Sequence, residues 1–385
     1  GNCRVLSRLS CWPSISFSSG KMEIHEFAQP EPFFKSIKDF DGLFSIQSPK
    51  KRLDSIRKSG NAFRERMLQG KPVPYYRSFD LIRVPYPTGY AFSNVCLSWS
   101  PYVHILNRLF VVQFNTPQGL KTMLVSPTDI GASRETPYFK RLAGRSGPLR
   151  SVTEQVIAPR YNTVESVLET LGLAPEDIDY ITFDHMHTQN VTKWLGSHGK
   201  PAYLPNAKLL IMKQEWESTT GLIPPNADWY CPGGLDGIPL DKVVLLDGST
   251  MLGEGVALIA TPGHTEGNHS IVVHTDEGLM VTSENGVGPD AYAPLHSAIP
   301  GLATYAQSTN MEVILNGNTL EQGLNQYISM VLEKTIAGPS VRNSNFPNMV
   351  NSSELSYYWL FPVNPSFSFG PVQFGKLTLN EKRDM

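Results

Sequence analysis

Residues 183 to 190 read FDHMHTQN, and the two histidines, His185 and His187, are separated by a single residue. Imidazole is a common ligand for transition metals. Residues i and i+2 leaving a strand point to the same side, so this pair can turn two nitrogens towards one ion. A His-x-His pair on its own is also ordinary structure. The rest of the chain must therefore supply a third ligand and a strand end to carry the pair. Asp184, just before it, either orients a ligand imidazole through the free N–H of the ring or serves as a plain turn aspartate.

The surrounding text supplies the strand end. PEDIDYITFDHMH reads as a short turn feeding a buried strand over residues 180 to 183, whose end delivers the histidines. A helix is predicted before it, capped by Asn162 with Glu165 at the third position. Its apolar face is Val164, Val167, Leu168 and Leu171, and Gly172 ends it. Further upstream, DLIRVPYPTGYAFSNVCLSW, YVHILNRLFVVQFNT and LKTMLVSPTDIG are β-branched, aromatic and punctuated, which predicts consecutive antiparallel strands. The later half repeats this grammar in AKLLIM, KVVLL, VALIATPGH, HSIVVHT and GLMVTSENG. Sheets at both ends with helices between predict an α/β fold, two sheets face to face with helices outside: an αββα sandwich.

Four segments are expected. Residues 1–21, serine-rich and without an acid, read as a leader or expression scar, although an organelle-targeting peptide has the same composition. Residues 22–75 form an N-terminal helical extension around KKRLDSIRKSGNAFRERM. Residues 76–330 carry the main domain, and 331–385 an aromatic tail over a cleft or a subunit interface, consistent with a homodimer. With 41% apolar residues and a net charge of −2, the chain is expected to be globular, with neither nucleic acid nor a membrane as partner. No apolar run approaches the roughly 18 to 20 residues that span a bilayer. The cysteines, Cys3, Cys11, Cys96 and Cys231, are scattered and read as reduced thiols, so a soluble, cytoplasmic protein is expected.

LGLAPEDIDYITFDHMH, IATPGHTEGNHS and LMVTSENG, taken in order, resemble the metallo-β-lactamase superfamily over about residues 78 to 320. The family pattern is a strand, His-x-His-x-Asp-His, a later TPGH histidine, an aspartate after another strand and a final histidine. The resemblance implies that His185, His187 and His264 are the ligands of a first metal. It also implies that Glu284, at the bridging-aspartate position, is a fourth ligand or a proton acceptor. The second metal site departs from the pattern: Gln189 stands for the aspartate, Asn190 for a histidine and Asn318 for the last histidine. Neutral amides neither offset a dication's charge nor bind it as imidazole does. The resemblance thus implies one zinc ion per chain, whose three neutral ligands leave an open position and lower the pKa of bound water from roughly 16 to about 7.

On that reading the protein is a mononuclear zinc hydrolase that uses a metal-bound hydroxide, with Gln189, Asn190 and Asn318 lining the vacated site. Asp129, in SPTDIG, would support a ligand; His269 reads as a core or supporting residue and His296 as an exposed loop residue. Trp194, Trp216, Trp229, Tyr230 and Tyr292, with Tyr357, Tyr358 and Trp359 of the tail, more often fill cores than bind substrate, but if part of the set faces the metal the substrate is an apolar or aromatic small molecule: a lactone, ester, amide or compound with an activated leaving group. Two alternatives stand beside it. One is a mononuclear iron oxygenase of the same fold; the other is a non-catalytic binding or assembly module with an eroded site. Metal content separates the three.

Overall fold

The computed structural model describes residues 26–144, 155–318 and 323–379, so the segment read as a leader lies outside the described residues. Among the described residues thirteen strands form two sheets. In the larger, β2 (Tyr75–Pro87), β3 (Tyr102–Thr116) and β4 (Gly119–Val125) run antiparallel. They continue into a parallel run of β5 (Tyr180–Thr182), β6 (Lys208–Met212) and β7 (Val243–Leu246). The smaller sheet joins β1 (Lys35–Ser36), β8 (Thr250–Gly253), β9 (Val256–Ala260), β10 (His269–Thr275) and β11 (Gly278–Thr282), all antiparallel. Two strands of the C-terminal segment add to the larger sheet: β12 (Ser353–Leu355) on β3 and β13 (Gln373–Gly375) on β2.

Alternation along the strands sorts the apolar side chains into three layers. Val256, Leu258, Ile271, Val273 and Met280 of the smaller sheet face Phe110, Val112, Phe114, Met123 and Val125 of the larger, filling the space between the sheets. Their neighbours in sequence, Ala257, Ile259, Val272, Leu279 and Val281, pack outward against helix α1 (Pro49–Leu68) and the C-terminal helix. Leu109, Val111, Leu124, Ile181, Leu209 and Ile211 pack outward under helix α2 (Val164–Leu171). Three apolar layers between four layers of structure are the αββα sandwich. Helix α3 (Lys213–Thr220) follows β6, and helix α4 (Gly323–Ala337) covers the smaller sheet beside α1. No helix among the described residues is long and apolar enough to cross a membrane.

Several local expectations are corrected. Helix α2 is capped by Thr163, whose hydroxyl accepts from Ser166 N–H while the Ser166 hydroxyl accepts in return from Thr163 N–H. Asn162 is held elsewhere, donating from Nδ2 to Asp80 O, which moves the cap one residue on. Gly172 ends the helix as expected, at φ 70°. The stretch from Asp80 to Trp99 is not one strand: after Pro87 the chain turns through a short helix at Thr88–Ala91. The boundary drawn at residue 330 falls inside α4.

Helix α1 is amphipathic in effect, burying Ile56, Gly60, Phe63 and Met67. A Cβ on Gly60 would lie 3.0 Å from Leu332 Cδ1, so the small residue lets α1 approach α4 closely. Ile56 is fully buried in this contact. Ile56→Ala is expected to destabilise the whole domain by about 2–5 kcal/mol in equilibrium denaturation, with a single transition. A loss below about 1 kcal/mol would mark α1 as an accessory extension.

Candidate metal centre

Three strand ends meet at the seam of the two sheets. Strand β5 of the larger sheet leads into His185 and His187, β9 of the smaller leads through Thr261, Pro262 and Gly263 to His264, and β11 ends beside Glu284. Thr188 takes a left-handed φ of 63° and its N–H donates to Trp229 O at 2.7 Å, pinning the first loop. Gly263 is required for a close approach: a Cβ there would sit 2.4 Å from Gln326 Cα of α4.

The imidazoles converge as the spacing predicts. His264 Nε2 lies 3.1 Å from His185 Nε2 and 3.2 Å from His187 Nδ1, and all three rings are buried. Nitrogens at about 2.0–2.1 Å from one tetrahedral ion would stand about 3.3–3.4 Å apart, so the donor set fits a single divalent ion. Asp184 does orient a ring: its Oδ2 accepts from His185 Nδ1 at 3.1 Å, leaving Nε2 to face the other imidazoles. Glu284 Oε2 stands 3.6 Å from His185 Nε2 on the open side. The Ser352 hydroxyl lies 2.8 Å from Glu284 Oε1 and 3.2 Å from Asp184 Oδ1, within reach of both carboxylates.

Electrostatics divides the ligands. Burial, then the charge of His185, pushes His187 well below the ordinary histidine range, and His264 follows for the same reasons. Burial also pushes His185 down, but the charges of Asp184 and Glu284 outweigh it and hold the ring at about 9. Burial and the charge of Asp184 raise Glu284. Two imidazoles are thus ready as neutral ligands. The carboxylates favour the charged form of the third.

The other sequence-predicted residues separate. Gln189 is buried at the cavity wall with Oε1 unpartnered among the described residues, and Asn318 also lines the cavity. Asn190 turns away, its Oδ1 accepting from Thr192 N and Oγ1, so it does not line the cavity. Asp129 caps the turn Ile130–Ser133 through Ala132 N–H instead of supporting a ligand. His269 is buried with Nε2 3.1 Å from Thr182 Oγ1, and His296 is exposed against Phe346. Of the aromatic residues, Trp229 and Tyr230 flank His187, with ring centroids 6.4 and 4.7 Å away. Trp194 belongs to the core, Trp216 packs on Phe27, and the Tyr292 hydroxyl donates to Glu333. Tyr358 packs edge-on against His104, while Tyr357 and Trp359 are exposed.

Three positions escaped sequence reasoning: Ser352, Asn285 and Glu215. Asn285 Oδ1 accepts from His264 N–H at 2.7 Å and Glu215 Oε1 from Met186 N–H at 2.7 Å. Only Asn285 had a signal, its place beside Glu284 at a strand end. The three imidazoles open onto a cavity of about 1080 Å³, whose apolar walls include Ile82, Val84, Ile105, Phe139, Leu142 and Trp229.

No family model matches the chain. It is 25% identical over 114 residues to an N-acyl homoserine lactonase from a Bacillus species, covering 30% of this chain and 40% of that protein. It is likewise 25% identical over 118 residues to an N-acyl homoserine lactonase from Bacillus cereus, covering 31% of this chain and 42% of that one. The chain thus spans well under half the length of the curated relatives it matches. Among solved structures it is similar to a probable metal-dependent hydrolase from Staphylococcus aureus, with a TM-score of 0.47 and 14% identity, covering 67% of this chain and 83% of the other.

The charge held on His185 predicts proton release on metal uptake. A ligand nitrogen must be deprotonated, and the folded-state pKa of His185 is raised to about 9. Below that pH the metal-free protein carries a proton that the ion displaces. Calorimetry in buffers of different ionisation enthalpy should therefore show proton release at about pH 7.5 that falls by about one proton per ion as the pH rises through about 9. Absence of release at pH 7.5 would mean that the metal-free ring is neutral.

Proposed function

We propose that this chain is a metal-dependent hydrolase of the metallo-β-lactamase superfamily, holding one zinc ion on His185, His187 and His264. The observation that carries the reading is the convergence of three buried imidazole nitrogens, 3.1 and 3.2 Å apart, at the floor of a large, mainly apolar cavity. A bound Zn²⁺ would supply Lewis-acid polarisation and an activated water at neutral pH.

The chain's own residues set the rest of the chemistry. Glu284 Oε2 is placed on the open side to take the proton of the attacking water and return it to the leaving oxygen, while Ser352 fixes its other oxygen. Gln189, whose amide is otherwise unpartnered on the oxygen side, is placed to hydrogen-bond the polar group of the substrate. The apolar walls bind the body of the substrate and exclude water. A small acyl compound with an apolar body fits, and the matched relatives' activity favours a lactone. Gln189 and Asn318 are neutral at positions where a second ion would need charged or imidazole ligands, which supports a mononuclear centre.

His187→Ala and Gln189→Ala test this reading together. His187→Ala should lose metal and lactone or ester turnover in step while the sandwich remains folded. Gln189→Ala should keep about one zinc per chain by elemental analysis and lose at most about 10²-fold to 10³-fold in turnover. Loss of metal from Gln189→Ala as complete as from His187→Ala would make the amide a ligand. Two zinc ions per fully active wild-type chain would overturn the mononuclear assignment.

A further inference from the structure

We propose that Glu215 is a positioning residue, a carboxylate clamp that sets the separation of the two loops carrying the metal ligands. The inference rests on the proposed metal site. The two loops come from different sheets, and no hydrogen-bonded ladder joins β5 to β9. At the base of the first loop the sheets are tied by His269 N–H donating to Asp184 O at 2.9 Å, and the two loops themselves need a tie further out, beside the ligands.

Glu215 stands in the first turn of α3 and is 1% exposed. Its Oε1 accepts from the N–H of Met186, the residue between His185 and His187, at 2.7 Å. Its Oε2 accepts from the hydroxyl of Thr265, the residue after His264, at 2.6 Å. One rigid carboxylate thus spans both loops, each bond one residue from a ligand. Among the described residues no Lys or Arg pairs with it, and its hydrogen bonds to loop residues are with these two donors.

A second observation is independent of those bonds. The TPGH loop presses against the start of α3 so closely that a Cβ on Gly267 would lie 2.1 Å from Glu215 N and 2.3 Å from its Cα. Only glycine permits this approach, and the approach brings Thr265 within reach of the carboxylate. The chain thus accommodates the clamp on both sides: glycine in the loop and a buried acid on the helix. Glutamine in place of the acid would keep the span, because its amide oxygen can accept from Met186 N–H while its NH₂ donates to the Thr265 hydroxyl. Alanine would leave both donors without an acceptor.

The test uses Co²⁺ as a spectroscopic probe, titrated into the full-length, metal-stripped protein with folding checked by circular dichroism. Glu215→Ala is expected to weaken Co²⁺ binding by about 10–100-fold and to alter its visible spectrum. Glu215→Gln should retain affinity within a few fold and keep the wild-type spectrum. If Glu215→Ala does not fold, Thr265→Val decides: it removes one arm and should weaken binding and change the spectrum, while Thr265→Ser restores both. A folded Glu215→Ala protein, or a Thr265→Val protein, with wild-type affinity and spectrum overturns the clamp. A Glu215→Gln protein as impaired as Glu215→Ala also overturns it, by making charge rather than span the cause. Wild-type protein that takes up no Co²⁺ overturns the metal site and the clamp together, whereas the preceding failures leave the metal site standing.

Discussion

Two imidazole nitrogens held 3.1 and 3.2 Å from a third, away from water, are the constraint around which this molecule is arranged. Lone pairs so close repel unless something positive lies between them, and burial removes the solvent that would soften that repulsion. The protein meets this electrostatically with Asp184 and Glu284, which hold a positive charge on His185 while His187 and His264 stay neutral. A cluster of this kind is stable as a binding site for a cation and unfavourable as plain core, which is why its geometry bears on function more than any single histidine does.

The constraint explains the density of polar contacts behind the site. Asn285 holds the His264 backbone with its oxygen and donates from Nδ2 to Thr261 O and to Glu333 Oε1. Glu333, fully buried on α4, accepts in addition from Ser270 and from the Tyr292 hydroxyl. The C-terminal helix therefore reaches the metal loop through a chain of satisfied hydrogen bonds, and burial raises the Glu333 carboxyl accordingly. The C-terminal segment adds a second connection. Arg108 N–H donates to Ser352 O at 2.8 Å and its guanidinium forms a buried ion pair with Glu354, which places the Ser352 hydroxyl between Asp184 and Glu284. The hydrogen bonds through Asn285 and Glu333 fix the geometry of the loop they reach.

What was legible in the sequence divides along the same line. His185, His187 and His264 were readable because strand ends and a glycine turn leave local marks, and alternation in the strands announced the two sheets. Glu215 and Ser352 left no such mark. Glu215 looks like any acid on a polar helix, and Ser352 lies more than 60 residues beyond Glu284 in a segment without periodicity. Their roles arise only when β6 and β12 take their places, so information about them is long-range. The shift of the helix cap from Asn162 to Thr163 has a similar origin, since the claim of Asp80 O on Asn162 comes from a distant strand. Trp194 and Tyr292 were left open between core and cleft, because an aromatic residue in a loop says nothing about which way the loop folds.

The amides near the site follow from charge balance. On the proposed reading, Asp184 and Glu284 are the two carboxylates nearest the imidazoles, and together they match the double charge of one divalent ion. A second ion beside Gln189 and Asn318 would face neutral groups in a buried setting, where the desolvation of an uncompensated charge costs several kcal/mol. Asn190 does not soften that cost, because its oxygen is committed to Thr192. On that reading the amides leave a neutral, polar wall where a second ion would otherwise sit. Such a wall suits the uncharged polar head of a small acyl compound whose apolar body lies along the rest of the cavity.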